Sequence, residues 1–390
     1  MRYLVLSVLL ISTLGCYADN LKSIVQGNDK FTVHTYEELV KISNKNNFIF
    51  SGLSAEIILS LLANGANGTT REQLLTGLSL PHNIQNINKA YTKITTGLKV
   101  NEKLNLRLAN KVFVHQNFSI LEQFNDIAVN SYAADVENLD FMKTLDAANY
   151  INSWVEEQTN NKIKNLIDPK SLSNKTGLLL VNALYFSGQW KNPFPDYGTK
   201  DRTFHSSHTK SKKIPTMYSK SSAKYAHNKQ LKAKFLELGF KDGNITMTFV
   251  LPDEIDGLEA VEKNLEQYLA TQEMEYARVA ITLPKFKIES QIDFKPILQS
   301  LGVNEIFEKR NDFSYISDTD QLKVDFIVQK AFIDIHENGV EAAVATGVGG
   351  PLNAPLDIVD FYYEFNADHP FIFILKESNG LILFAGRFTQ

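Results

Sequence analysis

Apolar residues recur at three- and four-residue steps over much of the first 160 positions, then mostly at two-residue steps or in unbroken runs. The first spacing predicts helices over 21–43, 54–64, 69–78, 84–99, 120–131, 144–160, 258–270 and 293–301. The second predicts strands over 106–114, 178–186, 233–240, 245–251, 278–289, 322–335, 371–376 and 380–388. Lys241-Asp-Gly-Asn244 joins two of these strands with the residues a tight hairpin needs, and Glu377-Ser-Asn-Gly380 joins the last two in the same way. Helices cluster early and strands late, which indicates an α+β fold rather than alternating α/β units. No repeat or linker interrupts the chain after its first residues, so one large domain over 19–390 is expected.

The stretch Glu337-Asn-Gly-Val-Glu-Ala-Ala-Val-Ala-Thr-Gly-Val-Gly-Gly350 has the glycine content of a mobile loop and the alternation of a half-buried strand. Val340, Ala342, Val344, Thr346 and Val348 share one face, and none is charged. Glu341, Ala343, Ala345, Gly347 and Gly349 share the other. The pattern suits a loop that can become a strand.

Residues 1–18 carry one early cation, a short apolar run and a small residue at Ala18, the pattern of a secretory signal peptide. The run is too short to span a membrane. Thr13-Leu-Gly-Cys16 is weakly similar to a bacterial lipid-attachment site, but sequons at Asn67, Asn117, Asn174 and Asn244 favour a eukaryotic secreted glycoprotein. Cys16 is the only cysteine and falls in the leader, so no disulfide or cysteine metal site is expected beyond it. The formal charge of −4 becomes −5 once Arg2 leaves with the leader. Such a balance gives no reason to expect a nucleic-acid or membrane partner.

The chain lacks the nucleophile elbow, metalloprotease helix, phosphate loop and dinucleotide fingerprint, so an enzyme is not expected. His205 and His208 have no nearby third ligand in sequence, and neither a metal nor another cofactor is expected. Lysines 210, 212, 213, 220, 224, 229, 232 and 234 occupy a stretch without acids. They read as a solvated sheet edge guarded by charge or as a surface, Lys210–Lys234, for a sulfated polysaccharide.

Several motifs then fall into one order. Asn47-Phe-Ile-Phe-Ser-Gly-Leu-Ser54 leads into an apolar helix, and Leu178–Trp190 reads as a central strand. Leu283-Pro-Lys-Phe286, Val328–Ala343, Phe365–Phe373 and Phe384–Phe388 follow. Together they resemble the serpin family, of the inhibitory, invertebrate-like type, over nearly the whole chain beyond the leader. The resemblance implies a monomer of eight to nine helices and three β-sheets, with an exposed reactive-centre loop within 337–360. It implies a secreted suicide-substrate inhibitor of a serine protease. The cleaved loop inserts into the central sheet and carries the acylated protease with it.

The same resemblance assigns roles by position. Glu337, Gly339, Val340, Glu341, Ala342, Ala343, Val344, Ala345 and Thr346 match the hinge. Lys285, Glu337 and Trp190 match the breach where the loop enters, and Ser51, Ser54, Asn182 and Gln329 match the shutter beneath the parting strands. Gln329 replaces the family's usual His, Gly52 its usual Pro and Val340 its usual Thr. Counting forward from Glu337 puts the reactive bond at Asn353-Ala354, with Leu352 and Leu356 as alternatives; counting back from Pro370 points to 356–359. No Lys or Arg lies between Ala342 and Leu375, so an elastase- or chymotrypsin-like target is expected over a trypsin-like one. The alternatives are a cysteine protease target, or a non-inhibitory carrier or binding protein.

Overall fold

The run Gly52–Gly65 forms helix α2, and all 14 of its residues are buried. A helix apolar on every side belongs at the centre of a fold. Ser51 starts it by accepting a hydrogen bond from the Ser54 N–H at 3.1 Å. Around it pack α1 (Arg2–Ile42), α3 (Gly68–Gly77), α4 (Ile84–Val100) and α5 (Glu122–Tyr132). The computed structural model describes residues 2–100, 105–241, 244–270, 272–318, 322–340 and 362–390, with side chains from Leu21 onward other than those at 99, 100 and 105. The helix expected over 21–43 begins at Arg2, because the leader's apolar run continues a helical course. Among the described residues no helix is long and apolar enough to cross a membrane.

One sheet has six strands in the order β10 (Phe286–Asp293), β11 (Val324–His336), β12 (Gly339–Val340), β4 (Leu178–Gln189), β2 (Asn105–His115) and β3 (Asp135–Leu139). Below β12, strands β4 and β11 pair directly and in parallel, with Gln329 beside Asn182. β4 reads as an unbroken apolar run because both its faces are covered. Leu178, Leu180 and Leu184 enter the main core with α2, whereas Leu179, Val181 and Tyr185 enter a second cluster. Helix α6 (Thr144–Gln158) and the segment after it close that second cluster with Ile151, Val155, Ile163 and Leu166.

A nine-stranded sheet runs β1 (Phe48–Phe50), β15 (Ile382–Phe388), β14 (Phe371–Glu377), β8 (Ile245–Pro252), β7 (Ala233–Gly239), β6 (Lys210–Asn228), β9 (Glu275–Pro284) and β13 (Tyr363–Asn366), with β5 (Lys200–Ser207) also on β6. The family's three sheets are joined here into two hydrogen-bonded units, because β6 changes partners along its 19 residues. It pairs with β5 over 210–216, β9 over 216–225 and β7 over 224–228. The lysine-guarded edge expected for the whole stretch therefore shrinks to 217–223, where β9 is the single strand partner among the described residues.

Two expected elements divide. The strand over 278–289 is β9 and β10, one in each sheet, joined at Lys285. Pro284 has no N–H to continue the ladder. The helix over 258–270 is α7 (Leu258–Glu262) and α8 (Leu265–Leu269), separated where Asn264 folds its side chain back onto the Ala260 carbonyl at 3.2 Å. The last helix, α9 (Lys295–Ser300), starts after β10 has run on to Asp293. Strands β1, β3, β5, β6, β12 and β13 have no counterpart among the expected elements; they are short, or carry too many Lys, Ser and Asn side chains to alternate cleanly.

Candidate functional site at the mouth of the six-stranded sheet

The chain turns back at the end of β11 and re-enters the sheet as β12. Val340 pairs with Ile335 of β11 and with Gly188 of β4; Gly339 pairs with His336 and Gln189. Two residues of the hinge are thus already a strand between β4 and β11, and Val340 is 0% exposed. The hinge expected as an exposed loop before cleavage is buried at Glu337, Gly339 and Val340. Gly339 has φ +146°, and a Cβ there would lie 2.0 Å from the Gly188 carbonyl oxygen. That position admits only glycine. Glu341, Ala342, Ala343, Val344, Ala345, Thr346, Leu352, Asn353, Ala354 and Leu356 lie outside the described residues.

Hydrogen bonds from two directions hold the turn. The Glu337 carboxylate pairs with Lys285 Nζ at 2.9 Å and accepts the Thr199 hydroxyl at 2.6 Å. Burial alone would raise its pKa, but the bonds from Thr199 and Lys285 outweigh burial and hold it below the ordinary glutamate value. Trp190 donates its backbone N–H to Asn338 O at 2.9 Å and its indole N–H to His336 O at 3.0 Å. The indole stacks on Phe240 at 4.6 Å. Lys285, Glu337 and Trp190, widely separated in sequence, thus meet at one end of the sheet.

Lower down, a buried polar line crosses three strands and the start of α2. Gln329 Oε1 accepts the Ser51 N–H at 2.8 Å, and Nε2 donates to Ser51 O at 2.9 Å and to Asn182 Oδ1 at 2.7 Å. Asn182 Nδ2 donates to Ser54 Oγ and to Asn110 Oδ1. Ser51, Ser54, Asn182 and Gln329 therefore come together, joined by Asn110, which sequence reasoning missed. Its signal was a lone amide inside the strand expected over 106–114. All five residues are buried. Every bond spanning β11 and β4 must break if those strands part, and an amide left unpaired there costs about 1–3 kcal/mol.

Helix α6 is fastened over the seam between β4 and β11, the gap that any strand added there would have to open. Lys111 of β2, itself buried, pairs with Glu137 of β3 at 2.6 Å and lies 5.2–5.7 Å from the ring centroids of Phe113, Tyr150 and Trp154. Tyr150 donates its hydroxyl to the same Glu137 carboxylate at 2.9 Å. Beyond the gap, Lys330 of β11 bonds Lys164 O at 2.6 Å and Gln291 bonds Leu166 O at 3.0 Å, both in the segment after α6.

The remaining candidates lie apart. Asn67, Asn117, Asn174 and Asn244 are all exposed, though Asn67 bonds Asp312 at 3.2 Å and Thr176 of the third sequon is buried. The eight lysines divide among the β5–β6 hairpin, the middle of β6, and the turn into β7 with its first residues. A strand of this length spans about 60 Å if extended, too far for one patch. His208 pairs with Asp256 at 3.5 Å, and among the described residues no three His, Cys, Asp or Glu side chains converge as metal ligands.

Comparison with known proteins bears on the whole arrangement. A sequence model of the serpin (serine protease inhibitor) family matches residues 26–390. Antichymotrypsin-2 of Bombyx mori is 36% identical over 374 residues, covering 95% of this chain and 99% of its own. Alaserpin of Manduca sexta is 35% identical over 379 residues, covering 95% of each. The crystal structure of Serpin48 of the insect Tenebrio molitor superposes with a TM-score of 0.88 at 40% identity, over 95% of this chain and 98% of that one. With the fold, the re-entrant hinge and these similarities in agreement, the chain belongs to the serpin family of serine protease inhibitors.

Proposed function

We propose that this serpin is a secreted suicide-substrate inhibitor of a chymotrypsin- or elastase-like serine endopeptidase. The leader over 1–18 is removed on export. A protease serine attacks the carbonyl of Asn353, or of Leu352 or Leu356, in the bait; the following residue's amine leaves, and an acyl-enzyme ester forms. Ala342, Val344, Thr346 and Val348 then follow Val340 between β4 and β11 and carry the ester with them. The observation that carries this reading is β12: its two residues already pair with both strands between which the rest must go. The side chains that follow inward are small or apolar, as burial in this sheet requires. The name of the silkworm relative, antichymotrypsin, agrees with a bait that lacks cations.

The test is incubation with chymotrypsin, pancreatic elastase, trypsin and an asparagine-specific cysteine protease. A complex that survives SDS with chymotrypsin or elastase, plus a released fragment beginning near residue 354, is expected. Val340→Arg should turn the inhibitor into a cleaved substrate. Complexes only with the cysteine protease would move the target class. Cleavage by every enzyme without complexes would make the chain a non-inhibitory carrier or binding protein.

A further inference from the structure

Lys220, Ser222 and Lys224 of β6 lie opposite Ala280, Arg278 and Tyr276 of β9, so the six side chains share one face of the nine-stranded sheet. Lys220, Ser222, Tyr276 and Arg278 are exposed, Tyr276 at 73%. The Lys220 ammonium sits 4.6 Å from the ring centroid of Tyr362. Lys224 lies 6.0 Å from the Tyr276 ring and pairs with Glu237 at 2.8 Å. Glu364 of β13 lies beside Ala280 on the same face. Lys220, Lys224 and Arg278 thus share this face with Glu364.

This face occupies the ground between the two attachments of segment 341–361. The outgoing end returns at Tyr362, against Lys220. The incoming end is held at Asn338 by Trp190, and two residues further on Asn192 donates to Ser222 O at 3.3 Å. An enzyme with the bait in its cleft must stand over this ground. Tyrosine and arginine are enriched at protein interfaces, tyrosine because it brings large contact area at low conformational-entropy cost and arginine because its planar guanidinium donates several hydrogen bonds. The bait has no cation, and Asp357 and Asp360 precede its return. This floor therefore offers a docked protease positive charge that the bait itself lacks.

We propose that Lys220, Tyr276 and Arg278, backed by Lys224, form a second docking surface for the target protease. Among enzymes able to cleave the bait, it selects those with carboxylates beside the cleft. The proposal rests on the inhibitory reading above. Its experiment compares an anionic and a cationic chymotrypsin by their second-order rate constants of covalent complex formation, at low and physiological salt. Wild-type protein should react about tenfold faster with the anionic enzyme at low salt, and the advantage should shrink as salt rises. Lys220→Glu with Arg278→Glu should abolish or reverse the preference at unchanged stoichiometry, since neither residue is in the hinge. Tyr276→Ala should slow both reactions.

Equal rates with the two enzymes, or a preference that survives the charge reversal, would overturn the proposal. So would a preference that arises only on adding heparin, which would assign the cations to a polysaccharide. Failure to form complexes with either enzyme would remove the inhibitory reading itself and this surface with it, an outcome distinct from complexes that form without preference.

Discussion

Glu56 is the residue whose position is hardest to reconcile with its chemistry. It sits in α2 with no exposed surface and no cation beside it. Asn28 of α1 donates to one of its oxygens at 3.2 Å; Oε1, Ser60 Oγ and Tyr91 OH are buried near one another without a well-formed hydrogen bond. Burial pushes its pKa from 4.5 up to about 8, against the smaller opposing effect of Asn28. The folded state therefore holds a proton that the unfolded chain releases. This contribution is fully present below pH 4.5 and is lost as pH rises to about 8, a loss of about 4–5 kcal/mol. Glu56→Gln copies the neutral acid, so its denaturation midpoint in guanidinium should stay flatter than that of wild type between pH 5 and 9. Matching slopes would show that Glu56 is not the group responsible. Such a residue is visible in sequence only as an oddity, a carboxylate in an apolar helix. Its lack of a cation depends on packing among α1, α2 and α4, which no local pattern records. Val340, Lys285 and Glu337 were legible because their surroundings follow a family pattern, whereas Asn110 needed the register of β2 against β4 to acquire meaning.

At the scale of elements, α6 and its trailing segment form a strap across the gap that an inserting strand must widen. One added strand moves β4 and β11 apart by about 4.8 Å. The cluster beneath α6 takes Leu179 and Val181 from one bank and Val328 and Phe332 from the other. The strap must slide or lift during insertion, and Lys111 is one of its fastenings. Lys111→Met keeps an unbranched chain within the aromatic rings and removes the ion pair. A synthetic peptide of the sequence 340–352, added as a surrogate strand, should then incorporate about fivefold faster, as expected for about 1 kcal/mol less barrier. An unchanged rate of band shift on native gels would sink the idea. The amphipathic α4 and the long apolar runs of α2 and β4 were readable to within three residues at their ends. Where β9 passes into β10 the pattern continues unbroken across Lys285, so sequence reads one strand while the tertiary structure requires two.

For the whole molecule, the proposed mechanism makes the paired β4 and β11 the receiving site for the rest of the strand begun at Val340. Completing the strand begun at Val340 adds backbone hydrogen bonds on both sides and buries Ala342, Val344, Thr346 and Val348. Protein cleaved within 341–361 should melt about 10 °C or more above intact protein. Calorimetry of the two forms checks this, and coincident transitions would remove the stored energy on which the inhibitory reading depends. The α+β class was evident from helices preceding strands. The two-sheet connectivity was not, since polar β6 shows its identity only through its successive partners.

Strands β14 and β15 occupy inner places in the nine-stranded sheet although they come after every other element named here, the bait segment included. β15 closes on Phe48–Phe50, more than 330 positions upstream, and packs on α1 and α2. A ribosome therefore releases the bait before it releases the strands that complete the sheet. For that interval the nascent chain holds β4, β11 and the Gly339–Val340 strand between them, with β14 and β15 still unpaired. Under the proposed mechanism, whether each molecule ends armed or already spent is decided by a race between residues 371–390 and the loop just ahead of them.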